Sequence, residues 1–481
     1  MIPHLLRPAA AALALVALGT ASAQVSPSAA SATPPPAGSP ADVAPAPAPT
    51  FTSGGDLRLR NEYLNNAFSL SAVAARHEQD YFRFRGRLWF ADAFAPGWTL
   101  NARLAAEPRL WEKPAFVSQF TGTGREMRYG LLDNLNLKWT GAFGLPLTIT
   151  IGRQDIQFGD SLNWWLVADG TPADGSWSLF FDSVRATLEA PEIKTRIDLI
   201  GINQHARPDA WLPILGHLGP YSVVEQNEQG AILYVSNKSL PSVQVDGYFI
   251  YKKDEKVFAA GDNANLYTLG AKLGGTPSPH WQYSIEGAGQ WGEKQDPMVR
   301  NPVNVGTLTR DVCAWGGNAR LTYLLKDPAN NQLGLVAEYL SGDDPGTTGK
   351  DEMFDILWGR WPRFSELYIT SYIMETGGKV AQLNNLLRLG GSWTTTPVKG
   401  TTFSVTYNAM FAPQHTPTRM LNAALFSQSG GHRGQLLQLV LKRQLTKNVS
   451  GHLWAEFFAQ GDYYARRDTM TFLRAELMVT F

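Results

Sequence analysis

Arginines recur at every second position in two early segments of the chain. Arg58 and Arg60 do so in DLRLRNEY, and Arg83, Arg85 and Arg87 do so in DYFRFRGRLWF. A guanidinium group carries a permanent charge and a rigid fork of donors that matches carboxylates. Because side chains two residues apart lie on the same face of a β-strand, the spacing predicts strands with a ladder of anion-binding groups on one face.

The same strand face carries further charged residues along the rest of the chain. The predicted cations are Arg103, Lys138, Arg185, Arg196, Lys272, Arg320, Arg388, Lys442 and Arg474, and the acids are Glu62, Glu107, Asp198, Glu286, Glu338, Glu456 and Glu476. In a narrow pore of low dielectric constant, such arginines select anions. The alternative is that they pair with the acids and only brace the wall. The formal net charge is +0, so nothing general draws the chain to nucleic acid.

Catalytic and metal-binding motifs are absent from the sequence. The eight histidines are scattered, and no G-x-S-x-G, H-E-x-x-H or Cys/His metal spacing accompanies them. The single Cys313 excludes an intramolecular disulfide framework. The acidic segment 342–352 lacks the EF-hand spacing, so we interpret it as a solvated loop. We therefore predict no catalytic residue, metal or cofactor, and keep an outer-membrane enzyme with a distant Ser–His pair as a remote alternative.

The elements that carry these residues are predicted from period-two alternation. The final segment, TMTFLRAELMVTF, alternates between apolar and polar side chains and ends on Phe481. A terminal aromatic on the apolar face is typical of outer-membrane β-barrels, whereas the last strand of a soluble β-sandwich is the alternative. Short Pro- and Gly-containing connections also alternate with connections of roughly twenty residues, as periplasmic turns and external loops do in barrels.

This pattern predicts an all-β fold, an antiparallel transmembrane barrel of eighteen strands with both termini in the periplasm. A bacterial single-chain barrel needs an even strand number, so the strand-like segment Glu366 to Met374 is assigned to one long external loop from Ser341 to about Leu383. The predicted strands are 56–63, 80–91, 98–107, 131–139, 145–153, 180–188, 194–202, 228–236, 242–252, 265–274, 280–291, 312–325, 331–341, 384–396, 401–411, 432–445, 449–459 and 468–481.

The beginning of the chain predicts export. Arg7, a short apolar run and a small-residue site near Ala23 indicate a cleaved signal peptide, residues 1–23. Residues 24–54 are rich in Ala and Pro and are predicted to form a periplasmic linker, followed by the barrel at 55–481. The apolar run of the signal peptide is too short to span a membrane as a mature helix, and no other stretch approaches eighteen apolar residues, so we expect a barrel in the outer membrane of a Gram-negative bacterium.

Four segments resemble the alginate-export family of outer-membrane porins. They are the two arginine ladders together, GRQDIQFGD (Gly152 to Asp160), FDSVRAT (Phe181 to Thr187) and YLSGDDPGTTGKDEMFDILWGRWPRFSELY (Tyr339 to Tyr368). The resemblance covers residues 56–481. It implies an eighteen-stranded barrel that passes a polyanionic uronate polymer outward through an arginine-rich constriction. It also implies site residues: Arg83, Arg85, Arg153 and Arg185 at the constriction, Arg58 and Arg60 near the periplasmic entrance, and Asp155 orienting one arginine.

The long loop supplies a second group of candidate contacts. Trp358, Arg360, Trp361 and Arg363 cluster in DILWGRWPRF, and such surfaces either contact sugar rings and carboxylates or pack a loop into a barrel mouth. The expected partners are outer-membrane lipid and lipopolysaccharide, the barrel-assembly machinery, and an anionic polysaccharide or small anionic solute. An uptake porin for small anionic or organic solutes shares every feature above and is the alternative function.

Overall fold

The computed structural model describes residues 50–113, 124–158, 180–207, 224–299, 305–359, 364–376, 379, 382–417, 419 and 422–481, and every structural statement below concerns these residues. They form one antiparallel sheet with a single α-helix, α1 (Glu366–Thr376). The strands are β1 (Thr50–Asn65), β2 (Glu78–Ala95), β3 (Trp98–Lys113), β4 (Arg125–Thr140), β5 (Leu147–Gln154), β6 (Phe181–Ala190), β7 (Thr195–Gln204), β8 (Gln226–Asn237), β9 (Val243–Lys256), β10 (Asn263–Ser278), β11 (Trp281–Gln295), β12 (Arg310–Leu324), β13 (Gln332–Leu340), β14 (Lys350–Asp351), β15 (Leu386–Val398), β16 (Thr401–Phe411), β17 (His432–Gln444), β18 (Val449–Gln460) and β19 (Thr469–Thr480).

Eighteen of these strands close a barrel, which confirms the predicted fold and strand number. Each pairs antiparallel with its neighbours, and β19 returns to β1 with Thr480 opposite Asp56. The two-residue β14 lies outside this order, because it pairs parallel with β12 while β13 pairs directly with β15. The prediction that the segment beginning at Glu366 is not a barrel strand is confirmed. The segment forms the helix α1, which the sequence did not predict. β1 begins at Thr50, before the predicted barrel start at residue 55.

The outward face of the barrel has the pattern of a membrane-spanning sheet. On β11, Trp281, Ile285 and Trp291 all face outward and are largely exposed. The two tryptophans lie ten residues apart, which at ~3.4 Å per residue and a tilt of ~40° is about 26 Å along the barrel axis. This separation matches two aromatic girdles around an apolar band of ~25 Å. Ring pairs lie near each end: Trp98–Trp139 near a short turn, at 4.8 Å between ring centroids, and Tyr267–Trp291 toward the other end, at 5.9 Å.

The two ends of the barrel differ in the length of the connections between strands. At one end the connections are short, and Gly97 and Gly400 adopt the left-handed backbone (φ 78° and 77°) that tight turns require. An added Cβ at Gly97 would lie 2.4 Å from the Thr140 carbonyl oxygen. The strand ends that the longer connections join lie at the other end. The first and last barrel strands begin and end at the short-turn end, so both chain ends of the barrel are there.

The longest connection folds back into the barrel. Its apolar side chains Phe354, Ile356 and Leu357 and most of α1 are buried against inward-facing side chains of the wall. Buried ion pairs fix the part of the loop before α1: Lys294 of β11 contacts Asp355 at 3.1 Å. The loop therefore occupies part of the lumen. No helix among the described residues has the length and apolar character needed to cross a membrane.

Candidate functional site

The two arginine ladders face each other across β1 and β2. The strand register places Arg58 opposite Arg85 and Arg60 opposite Arg83, and all four side chains are buried on the inward face. Like charges directly opposite one another destabilise a sheet unless acids separate them. We call this group the arginine cluster; it comprises Arg58, Arg60, Arg83, Arg85, Arg87 and Arg474, with the acids Asp56, Glu62, Glu107 and Glu476.

Four acids from three strands separate the arginines. Glu107 of β3 accepts hydrogen bonds from Arg83, and Glu476 of β19 accepts one from Arg60. At one end of the cluster, Asp56 accepts a hydrogen bond from Arg87 Nε at 2.8 Å. Such pairs satisfy buried donors and brace the wall. Bracing therefore accounts for part of the arginine pattern, as the alternative interpretation of the sequence held.

Arg58 is the exception within the cluster. Its side chain is buried, yet none of its three guanidinium nitrogens has a hydrogen-bond partner among the described residues. The nearest carboxylate oxygens, on Glu107 and Glu476, lie 3.8 and 3.9 Å away, beyond hydrogen-bond distance. A buried guanidinium without partners is costly, so this position has unused capacity to bind an anion.

A cavity of about 680 Å³ adjoins the cluster at the short-turn end of the barrel. Its charged lining side chains are five cations and two acids, Arg87, Arg103, Lys138, Arg185, Arg196, Asp155 and Glu189, and its neutral polar lining includes Asn101, Asn134, Asn136, Gln154, Thr148, Thr150 and Thr187. The lining joins strong hydrogen-bond donors to cations in a space of the size that small-molecule sites have.

Acids hold all four cavity arginines in place: Arg87 pairs with Asp56, and Arg196 donates to Asp198 at 2.9 Å. Arg103 donates to Asp133 at 2.7 Å and to Asp155 at 2.8 Å, and Arg185 donates to Asp198 at 2.9 Å. Asp155 is the acid that the family resemblance placed beside an arginine.

The remaining predicted arginines lie in two other places. Arg153 donates to Asp182 at 2.9 Å and stacks over Phe180, with 3.9 Å between the guanidinium carbon and the ring centroid, and none of these contacts belongs to the cluster. Arg388 of β15 pairs with Glu338 at 2.9 Å, and Arg320 of β12 lies beside that pair. The structure therefore unites the early-strand arginines and separates Arg153, Arg320 and Arg388 from them.

The predicted loop contacts are only partly described. Trp358 is 3% exposed and packs against the wall, edge-on to Phe181 at 6.5 Å between ring centroids. Lys252 approaches the face of the Trp358 ring at 5.7 Å. Trp358 thus packs the loop into the barrel, while Arg360, Trp361 and Arg363 lie outside the described residues.

The acidic loop that could have suggested a cation site holds an arginine instead. Asp343 and Asp351 contact Arg310 at 2.9 and 3.1 Å. Burial, together with the Asp351 carboxylate, raises the pKa of Asp343 to about 8. Among the described residues no group of His, Cys, Asp or Glu side chains is arranged to hold a metal ion.

The sequence did not predict the pair that holds the C-terminal end of α1 inside the barrel, whereas Arg474 and Glu456 at its N-terminal end were among the predicted lumen residues. Arg433 of β17 pairs with Glu375 of α1, but an irregularity between Met410 and Phe411 and a left-handed Gly434 (φ 144°) interrupt the alternation there. A parity count cannot follow a strand through such a bulge. The one available signal was Ser365 before an apolar run, a typical helix N-cap.

Comparison with known proteins places the chain in one family. Residues 51–476 match the protein family described as alginate export, which covers nearly the whole barrel. No curated protein matches the chain.

Solved structures of the same architecture are distant in sequence. OccK8 (OprE) of Pseudomonas aeruginosa has a TM-score of 0.53 and 11% identity, covering 89% of this chain and 98% of that one. OpdQ of the same organism has a TM-score of 0.53 and 12% identity, with the same coverages. OccAB3 of Acinetobacter baumannii has a TM-score of 0.51 and 10% identity, covering 89% and 99%. At this identity the likeness concerns the fold alone.

Proposed function

The chain belongs to the alginate export family, and we propose that it forms an anion-selective pore that passes an acidic polysaccharide outward across the outer membrane of a Gram-negative bacterium. The chain is an outer-membrane, porin-like barrel. What we propose beyond this barrel is its anion selectivity, its substrate and the outward direction of transport. The solute would be a uronate polymer such as alginate.

The observation that carries the proposal is the incomplete neutralisation of the arginine cluster. Six arginines share five acids, the four of the wall and Glu366 of α1, and Arg58 has no hydrogen-bond partner at all among the described residues. A fixed positive excess in a lumen of low dielectric constant raises the local concentration of anions. Carboxylates suit such a site because guanidinium groups bind them through paired hydrogen bonds.

The adjoining cavity supports a sugar acid over a simple inorganic anion. Its cations lie among amide and hydroxyl groups, which can hydrogen-bond sugar hydroxyls. Because it lies at the short-turn end, a polymer leaving the periplasm would meet it before the cluster. Site residues proposed for the solute path are thus Arg58, Arg60, Arg83, Arg85, Arg87, Arg103, Arg185 and Arg474.

Uptake of small anionic or organic solutes is the second candidate. A cavity of about 680 Å³ is large enough for a small carboxylated molecule by itself. In either case the proposed partners are outer-membrane lipid, lipopolysaccharide and the barrel-assembly machinery. The family and the fold point to a channel rather than an enzyme, and we propose no cofactor.

Block of ionic current by sugars separates the two candidates. Purified protein in a planar bilayer is exposed to an oligouronate, a neutral oligosaccharide of equal length, or a monomeric uronate, added to one side at a time. We expect long oligouronates to block the current more strongly than monomers, and most strongly from the short-turn side. Equal block by the neutral sugar would contradict the proposal, whereas block by monomers alone would favour uptake of small solutes.

A further inference from the structure

The helix α1 lies inside the barrel with an acidic residue near each end, and each acid contacts an arginine of the wall. We propose that α1 is a plug released by anions: the Glu366 carboxylate occupies Arg474 in place of a solute carboxylate, and an anion that binds the arginine cluster displaces it. The proposal rests on the proposed function in one respect, namely that anions enter the lumen.

The N-terminal end of α1 shares its arginine with the cluster. Arg474 Nη2 lies 2.9 Å from Glu366 and 2.6 Å from Glu62, which itself lies within 4 Å of Arg60 and Arg83. All of these side chains are buried. An anion bound at the cluster therefore changes the charge around the same guanidinium that holds the helix.

A second wall residue brings another carboxyl group to this end. Glu456 of β18 accepts hydrogen bonds from the backbone N–H groups of Glu366 and Leu367, at 3.1 and 3.2 Å. A carboxylate at a helix N-terminus is favourable for the helix. Glu366 and Glu456 thus lie together at one end of α1, and Glu366 is the one that pairs with Arg474. A competing carboxylate on Arg474 therefore replaces one anion by another, and the arginine stays paired throughout.

The C-terminal end is held by a separate set of hydrogen bonds that does not involve the arginine cluster. Glu375 accepts hydrogen bonds from two nitrogens of Arg433, at 2.7 and 3.0 Å, and a third from the Tyr463 hydroxyl at 2.7 Å. Arg433 also donates to the Asn385 carbonyl oxygen, which ties this end to the start of β15. We infer that α1 swings about its C-terminal end when Arg474 exchanges Glu366 for a solute carboxylate.

Neutralising Glu366 tests the exchange. Glu366→Gln keeps the shape of the side chain and leaves Arg474 paired with Glu62, so the barrel should fold with unchanged heat-modifiable mobility on gels. We expect a severalfold higher conductance without solute and a weaker response to added oligouronate. Glu352→Gln is the matched control, because this loop acid contacts Thr347 and no wall arginine among the described residues. Wild-type conductance in Glu366→Gln would overturn the proposal.

A reversible cross-link tests the movement itself. Ser371 Oγ of α1 lies 3.2 Å from the Met470 sulfur of β19. The variant Ser371→Cys, Met470→Cys is made in a Cys313→Ser background, so that the new pair holds the only thiols in the chain. Oxidation should hold the conductance low whatever oligouronate is added, and reduction should restore the response. Equal responses of the oxidised and reduced protein would show that α1 does not move.

The two proposals fail in different readouts. An anion-selective reversal potential with unchanged conductance in Glu366→Gln would overturn the plug alone. A wild-type pore without anion preference would remove the proposed function, while the cross-link would still report whether α1 moves. If such a pore without anion preference had low conductance when oxidised and higher conductance when reduced, α1 would be a plug, but anions would not be what releases it.

Discussion

Arg58 and Arg83 show how neighbouring arginines on one face can differ in what they do. Arg83 is hydrogen-bonded to Glu107, so it contributes mainly to bracing, whereas Arg58 has carboxylates only beyond hydrogen-bond distance. The ladder in the sequence predicts both positions. It cannot predict which arginine lacks a hydrogen-bonded carboxylate, because the acids that pair with these arginines belong largely to other strands. The distinction depends on the register of β1 with β2 and β19.

Replacing Arg58 should therefore change selectivity more than replacing a paired arginine. In Arg58→Gln we expect the reversal potential in a KCl gradient to shift toward cations, and the shift to shrink as salt screens the field. Arg388→Gln with Glu338→Gln is the matched control, because it removes a buried pair without changing net charge. An equal shift in the two proteins would show that the charge of Arg58 has no special weight.

Asp343 gives a prediction in pH. Its pKa is raised to about 8 by burial and by Asp351, so the folded loop is more stable when this carboxyl group is protonated. Its contribution to stability is therefore complete below the ordinary Asp pKa of about 3.9 and is lost as the pH rises through about 8. We expect trypsin to cleave after the exposed Lys350 faster as the pH rises from about 6 to about 9, as Asp343 ionises.

Asp343→Asn provides the control for this pH dependence. The amide cannot ionise, so its cleavage rate should follow only the intrinsic pH dependence of trypsin on an unstructured substrate. The same excess rate at high pH in Asp343→Asn and the wild type would assign the effect to another group.

Among the strands, β5 shows why alternation alone is insufficient near the site. Thr148 and Thr150 line the cavity and Ile151 is exposed outward, yet Arg153, on the parity of Ile151, is fully buried. Gly152 between them has φ 122°, a backbone conformation that other residues rarely adopt. The sequence showed only that the period slips at this glycine.

A side chain at Gly152 should destabilise the β4–β5 pairing. An added Cβ would lie 2.4 Å from the Leu135 carbonyl oxygen, and the strained conformation costs on the order of 1–3 kcal/mol. In Gly152→Ala we expect the barrel to unfold at lower urea concentration, measured by heat-modifiable mobility. Gly201→Ala on β7 is the control, because nothing lies within 4 Å of its Cβ and its φ is ordinary. Equal urea midpoints in the two variants would contradict this account of Gly152.

The helix α1 marks where prediction from the sequence ends. Strands that face lipid on one side and the lumen on the other have apolar and polar side chains in alternation, so the eighteen strands could be counted from the sequence. A segment inside the lumen meets protein on nearly all sides, so Leu367, Tyr368 and Ile369 are all buried and no polar face remains to reveal a helix. Loop-length parity excluded a strand there without indicating what forms instead.

At the scale of the whole molecule, the barrel separates two kinds of charge. The formal net charge is +0, yet cations concentrate on the inner face of β1 to β7 and acids dominate the loop held by Arg310 and Lys294. Family and fold explain the barrel, and neither identifies the solute. Only the local excess of arginines connects this fold to anion transport.

The reversal potential of the wild-type pore in a KCl gradient, measured beside Arg83→Ala, Arg85→Ala, tests this connection most directly. We expect a potential on the chloride side of zero at low salt and a shift toward cations in the double variant, because two positive charges of the cluster are lost while Glu107 and Asp56 each lose one arginine and stay in place. Salt should weaken both effects. A wild-type potential at zero, or one that the double variant leaves unchanged, would contradict the account, since the wall acids would then already neutralise the cluster.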